Sequence, residues 1–268
     1  MAETGAFGKK ILFLYPPPVL SEIVEELARR EFEVYLVKDH GKIRRFLPKN
    51  PESILFINLD EVLEETQWEG YVKEIKASEE TTRVGIGVLS LNDVPELKQK
   101  YLMDLQVPCG FITLKIGSAK TTEILIKTLE ANEARGKRKF VRAVCPPGSA
   151  QFFVETATGE TLRGEVLDFS SAGLALNFEE GKTFQPGTIL RGLQLAVKGG
   201  RVIADGIIVA NRGAGRTDEG AAKAQGGTGA SHVVMFDPGS LDDSKREKLR
   251  SLVFKVNQFN LDRLLEGL

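Results

Sequence analysis

Between residues 10 and 134 short apolar runs alternate with amphipathic stretches. KILFLY (10–15), EVYLV (33–37), ILFINL (54–59), RVGIGVLS (83–90) and CGFITLK (109–115) read as strands. VLSEIVEELARR (19–30) sets Ile23, Val24 and Leu27 on one helical face. HGKIRRFL is a short helix, and WEGYVKEIKAS, VPELKQKYLMDL (94–105) and TTEILIKTLEANEAR (121–135) complete the alternation. The strands are almost wholly apolar, as they are when helices cover both faces of a sheet. Right-handed crossovers then predict a doubly wound parallel sheet of five βα units.

After residue 139 the period changes. FVRAV, AQFFVET, TLRGEVLDF, AGLALNF, TILRGLQLAV, RVIADGIIVANR and SHVVMF follow one another without helices, separated by turns at PPG, ATG, SSAG, QPG and KGG. Short strands at this spacing predict a small antiparallel barrel. A closing helix over roughly 243–266 carries Leu249, Val253, Val256 and Phe259 on one face. It is expected to pack on the barrel mouth or on the first domain. The Gly/Ala-rich stretch 213–230 has no hydrophobic period and reads as a disordered hairpin insertion. No Pro/Gly linker separates the halves, and the fifth helix is expected to run almost straight into a basic turn. The expected domains are 1–134 and 135–268.

Composition narrows the class. An apolar fraction of 42% and a charged fraction of 27% describe a globular chain, and a net charge of -1 exerts no global pull on nucleic acid or anionic membrane. Cys109 and Cys145 lack metal-ligand or redox spacing, and His40 and His232 are isolated, so no metal site is expected. No charge-free run spans a membrane and the start lacks the order of a signal peptide, which gives a cytoplasmic expectation without membrane insertion. There is no phosphate loop, VGIGV (84–88) lacks the rest of a dinucleotide fingerprint, and Ser170 has no histidine in register for acyl transfer. No catalytic residue is expected, and the chain does not read as an enzyme.

Two short segments carry chemistry. RGKRKFVR (135–142) places Arg138 and Arg142 four apart, with Arg135, Lys137 and Lys139 alongside. Guanidinium forks grip phosphate oxygens bidentately and stack on purine faces. The plainer reading from residue chemistry alone is a solvated basic linker. DFSSAG (168–173) offers the carboxylate of Asp168, the hydroxyl of Ser170 and a turn at Gly173; alone it reads as a strand-end turn.

In this order, in a strand-rich domain, the segments resemble the PilZ family of cyclic di-GMP receptors. The resemblance rests on Arg138-x-x-x-Arg142 before the first barrel strand and Asp168-x-Ser170-x-x-Gly173 on the barrel. It implies a six-stranded PilZ-type barrel with a C-terminal helix over 135–268. It also implies that c-di-GMP is the ligand, in one or two copies. Arg138 and Arg142 would clamp phosphates and guanine edges, Asp168 would accept from guanine N–H groups, and Ser170 would contact base or phosphate. Gly173 would permit a turn and close backbone approach, with Arg135 and Lys137 as auxiliary phosphate contacts.

The first half resembles a response-regulator receiver that has lost its chemistry. Ser90 after strand four and Lys115 after strand five match the receiver pattern. Tyr15-Pro16-Pro17 stands where an acidic pair belongs, and Asn58 ends strand three in place of the phosphoryl-accepting aspartate. Asp60 would be an acceptor only in another register. The resemblance implies a pseudo-receiver that docks a protein target, or a second copy as a homodimer, through residues 94–130. Tyr101 and Met103 on that face are expected to be packed or partly packed. The expected function is a cyclic di-GMP effector that turns ligand binding into altered interdomain or partner contacts. Competing readings are a PilZ-fold interaction module that binds no nucleotide, a phosphorylation-dependent regulator, and a nucleic-acid binder. The sparse aromatics and pI near 6.3 disfavour the last.

Overall fold

The structure, a computed structural model, describes residues 8–156, 158–212 and 231–268; the expected hairpin insertion at 213–230 lies outside the described residues. Packing divides the chain into two units, Met1–Lys139 with Gln258–Leu268, and Phe140–Asn257.

In the first unit, β1 (Ile11–Leu14), β2 (Val34–Val37), β3 (Ile54–Asn58), β4 (Gly85–Ser90) and β5 (Phe111–Thr113) form a parallel sheet in the order β2-β1-β3-β4-β5. That order, with strands joined through helices, is the doubly wound, receiver-like arrangement expected from the sequence. The connecting helices are α1 (Leu20–Arg29), α2 (His40–Phe46), α3 (Glu65–Ala77), α4 (Pro95–Gln99) and α5 (Ser118–Ala131). Strand alternation divides the core: Leu12, Leu14, Leu55, Ile57, Ile86 and Val88 pack with α2 and α3, so Ile11 and Phe13 face the other side of the sheet.

Three local features depart from the expected pattern. The fourth helix changes to a π turn at Lys100–Asp104, which buries Tyr101 completely and leaves Met103 67% exposed. The fifth helix stops at Ala131, and Glu133 takes a left-handed φ of 50°, so no continuous helix enters the basic segment. The chain's last residues, expected in the second domain, belong to this unit: Leu261 and Leu265 are buried with Tyr35, Val37 and Phe46.

In the second unit, β7 (Ala150–Glu155), β8 (Thr161–Ser170), β9 (Gly173–Phe178), β10 (Ile189–Val197), β11 (Gly200–Arg212) and β12 (Ser231–Phe236) pair antiparallel in the ring β8-β7-β10-β11-β12-β9, closed by β8–β9. This is the closed six-stranded barrel expected from the PilZ resemblance, and closure leaves it no free sheet edge around the ring. A seventh, short strand, β6 (Arg142–Val144), lies against the C-terminal end of β8 beyond the reach of β7. The interior is filled by Phe152, Phe169, Leu176, Leu195, Ile208 and Val234, all essentially inaccessible. Leu249, Leu252, Val253 and Val256 of α6 (Asp243–Glu266) join that core. Phe259, expected on the same face, is only partly buried and stacks under Arg263 at 5.8 Å.

Candidate functional site

Side chains along β8 first alternate inward at Leu162, Gly164 and Val166. Continued unbroken, that alternation would drive Asp168 and Ser170 into the apolar interior, where an unpaired carboxylate costs several kcal/mol (roughly, for real proteins after relaxation). A bulge between Val166 and Asp168 prevents this. Leu167 is the extra residue, and its carbonyl accepts from the Cys145 N–H at 2.8 Å. One added residue exchanges the faces of everything after it. Phe169 therefore enters the core at 0% exposure, and Asp168 turns to the outer wall, with Ser170 on the same face but buried at 6% exposure.

Strand β6 then brings the arginine to the same wall. Its register sets Arg142 opposite Ser170, Ala143 opposite Phe169 and Val144 opposite Asp168. Alternate residues share a face, so Arg142, Val144, Asp168 and Ser170 lie together outside the barrel while Ala143 and Phe169 point in. The Arg142 Nη1 to Asp168 Oδ1 distance is 3.8 Å. At that distance the two groups form an ion pair without a hydrogen bond between them. The Arg142 backbone is held from another side, where Asn257 Nδ2 donates to its carbonyl at 3.2 Å. The sequence gives no sign of this support, because Asn257 is distant in the chain and sits in an unremarkable helix.

Ser170 and Gly173 have structural duties that limit what they offer a ligand. The Ser170 hydroxyl accepts from the Ala172 N–H at 3.2 Å and donates to the Gly173 carbonyl at 3.3 Å, closing the β8–β9 turn. Its proton is thereby used, and it retains one acceptor lone pair. Gly173 has no left-handed φ; its requirement is steric, because a Cβ there would lie 2.3 Å from the Val234 carbonyl oxygen of β12. Close backbone approach, and not the expected turn geometry, accounts for this glycine.

The remaining expected contacts precede the barrel, at the end of the first unit. Arg138 is half-buried, and Lys137 and Arg135 are exposed. The Arg135 guanidinium lies 4.6 Å over the Phe32 ring and 3.8 Å from Glu130, so it already has partners in its own unit.

At the carboxyl ends of the first unit's strands, the positions where the sequence reading expects a receiver's acids hold other groups. Asn58 is buried; its Nδ2 donates to the Tyr15 carbonyl at 2.8 Å, and its Oδ1 accepts from the Asp60 N–H at 3.2 Å. Strand β3 ends at Asn58, so Asp60 is not in the acceptor register. Its carboxylate instead takes the Ser90 hydroxyl at 2.7 Å and the Leu91 N–H at 2.5 Å, the donors a phosphoryl group would need. In place of acids stands an aromatic cluster. Tyr15, His40, Trp68 and Tyr71 pack with centroids 5.6–6.0 Å apart, and the Tyr15 hydroxyl and His40 Nδ1 are hydrogen-bonded at 2.9 Å. Among the described residues no group of three or more His, Cys, Asp or Glu is placed to hold a metal ion, and no helix is long and apolar enough to cross a membrane.

No protein-family model matches the chain, and no curated protein matches it. Solved structures with a similar fold do exist. The PilZ domain of YcgR from Escherichia coli, determined with c-di-GMP, shares 17% identity at a TM-score of 0.39, over 48% of this chain and 97% of that one. The inhibitor of motility MotI/DgrA from Bacillus subtilis shares 14% identity at a TM-score of 0.33, over 46% of this chain and 52% of that one. A response regulator from Desulfuromonas acetoxidans shares 12% identity at a TM-score of 0.39, over 47% of this chain and 98% of that one.

Proposed function

We propose that this chain is a non-enzymatic, cytoplasmic cyclic di-GMP effector in which a PilZ-type barrel binds the nucleotide and a pseudo-receiver presents the output surface. One observation carries the reading. The β8 bulge and the β6 register bring Arg142 onto the outer wall beside Asp168, although the two residues come from separate sequence motifs. A guanidinium and a carboxylate side by side complement a ligand bearing both phosphate oxygens and guanine N–H donors. Arg142 grips phosphate or the guanine Hoogsteen edge, and Asp168 accepts from the guanine Watson–Crick edge. Arg138 supplies the second clamp by closing the basic segment over the ligand, with Lys137 and Arg135 as outer phosphate contacts. Ser170 contributes its remaining lone pair, and Gly173 contributes bare backbone.

Ligand binding orders the basic segment between the two domains and changes how the receiver-like part meets a protein target or a second copy of the chain. Residues 94–130 are the proposed docking face. Leu102 and Met103 on it are 42% and 67% exposed, which supports that role.

Isothermal titration with cyclic di-GMP tests the proposal. Saturable binding, abolished in Arg142→Ala and in Arg138→Ala at unchanged melting temperature, is the expected result, and the titration also gives the stoichiometry. Absence of heat and of any thermal shift would leave an interaction module with a basic linker.

A further inference from the structure

The loops that follow β3 and β4 hold apolar side chains out in solvent, and one of them does so at a conformational cost. Val62 has a φ of 67°. That is left-handed backbone, where a β-branched side chain is crowded by its own chain. The Leu63 N–H donates to the Glu61 carbonyl at 2.8 Å, two residues back, so Val62 is the apex of a γ-turn of the strained hand. The turn is anchored on both sides. Leu63 packs against the core, and the Trp68 indole donates to the same Glu61 carbonyl at 3.1 Å. Between these anchors Val62 is left 63% exposed. A glycine or an asparagine would hold the same turn with less strain. A lone exposed valine needs no explanation, but one kept in a strained turn does.

The loop after β4 is fixed beside it. Asp60, at the start of the first loop, accepts from the Ser90 hydroxyl and the Leu91 N–H, which pins the two loops together. The Asn92 side chain accepts from the Val94 N–H at 3.3 Å and shapes the far side of the second loop. Leu91 and Val94 are 47% and 42% exposed. Residues 60–64 and 90–98 carry five carboxylates, on Asp60, Glu61, Glu64, Asp93 and Glu96, against one cation. That cation, Lys98, is already paired with Asp93.

We infer that Val62, Leu91 and Val94 form a docking surface for a basic segment of another protein, one that carries Lys or Arg around two or three aliphatic side chains. The apolar side chains anchor the segment, and the surrounding carboxylates select its charge. A second copy of this chain meeting the surface face to face would set like charges against each other. The surface lies at the ends of β3 and β4, shares only Val94 with residues 94–130, and does not depend on cyclic di-GMP binding.

The probe is a fluorescein-labelled peptide of leucine and lysine at helical spacing, titrated with the full chain and read by anisotropy. A scrambled peptide of the same composition and a leucine–glutamate analogue are the controls. The leucine–lysine peptide should bind more tightly than its scramble, the leucine–glutamate analogue should not bind, and affinity should fall as salt rises. Val62→Asn and Leu91→Ser should each weaken binding about tenfold, the scale of one lost aliphatic contact. Glu61→Gln combined with Glu96→Gln should weaken it at low salt and make little difference at high salt. Val62→Asn should also raise the melting temperature by about 2–4 °C, because asparagine accepts the left-handed φ. Poorer binding by a more stable protein separates docking from a role in folding. Equal binding by wild type, Val62→Asn and Leu91→Ser overturns the proposal, as does equal binding of the scrambled peptide or failure of the leucine–lysine peptide to bind wild type. A concentration-dependent dimer in sedimentation, dissolved by Leu91→Ser, gives the surface to a second copy and overturns it as well.

Discussion

Gly173 and His232 show how far single positions constrain this barrel. Gly173→Ala forces a methyl group against the Val234 carbonyl, so β9 and β12 must separate. Overpacking of this kind costs about 1–3 kcal/mol, and the urea midpoint should fall accordingly. An unchanged midpoint would mean that the strands can part freely. His232 is fully buried against Phe178 at 5.0 Å, and its Nε2 accepts from the Phe184 N–H at 3.0 Å. The neutral ring therefore carries its proton on Nδ1, which is buried without a hydrogen-bond partner. Burial holds its pKa below the ordinary histidine value. The unfolded chain takes up the proton as pH falls below about 6.5, and the native barrel resists it. The stabilisation is thus complete above that pH and is lost as the pH drops through the lower native value. Urea midpoints between about pH 5 and 7.5 should decline on the acid side. The decline should flatten in His232→Gln, whose side-chain carbonyl can still accept from Phe184.

Helix α6 carries two apolar stripes in succession, and neither persists along its 24 residues. Val256 and Leu261 are five residues apart, which is about 140° around the helix. A search for one amphipathic face finds Leu249, Val253 and Val256, extends it to Phe259, and misses Leu261 and Leu265. In the first unit Gln258 pairs with both backbone groups of Leu36, accepting from its N–H and donating to its carbonyl, each at 2.9 Å. This capping of the β2 edge by one side-chain amide leaves no trace in hydrophobic period. Gln258→Ala should cost about 1 kcal/mol and speed amide exchange at Leu36 more than at its neighbours. Leu265→Ala should cost about 2–4 kcal/mol as a core truncation. Strand and helix periods elsewhere were legible because burial on both sheet faces imposes them directly. The outward turn of Asp168 was not, because the bulge at Leu167 is settled by pairing with β6 and β9, which lie apart in the chain.

The receiver-like unit ends β3 on Asn58 with no carboxylate there, and the barrel is proposed to take a different input. Phosphoryl transfer needs a carboxylate acceptor and acids to hold a divalent cation. Asn58 is committed to the Tyr15 carbonyl, and the Ser90 hydroxyl to Asp60. Incubation with acetyl phosphate and Mg²⁺ should give no phosphoprotein by intact mass. Asn58→Asp should give none either, since an aromatic cluster fills the cation's place; a phosphorylated product in that variant would restore the receiver reading. The residues behind both readings are visible in residue type and order, whereas the donors recruited by Asp60 required coordinates. The two cysteines have a practical consequence. Burial pushes the Cys109 thiol up to about 11 and the Cys145 thiol up to about 12, so neither holds appreciable thiolate at neutral pH. Maleimides should leave both native thiols unmodified, as mass spectrometry can check. Spin labels or fluorophores attached to single engineered cysteines on α5 and β11 would then report distances against a silent background, with no native cysteine removed.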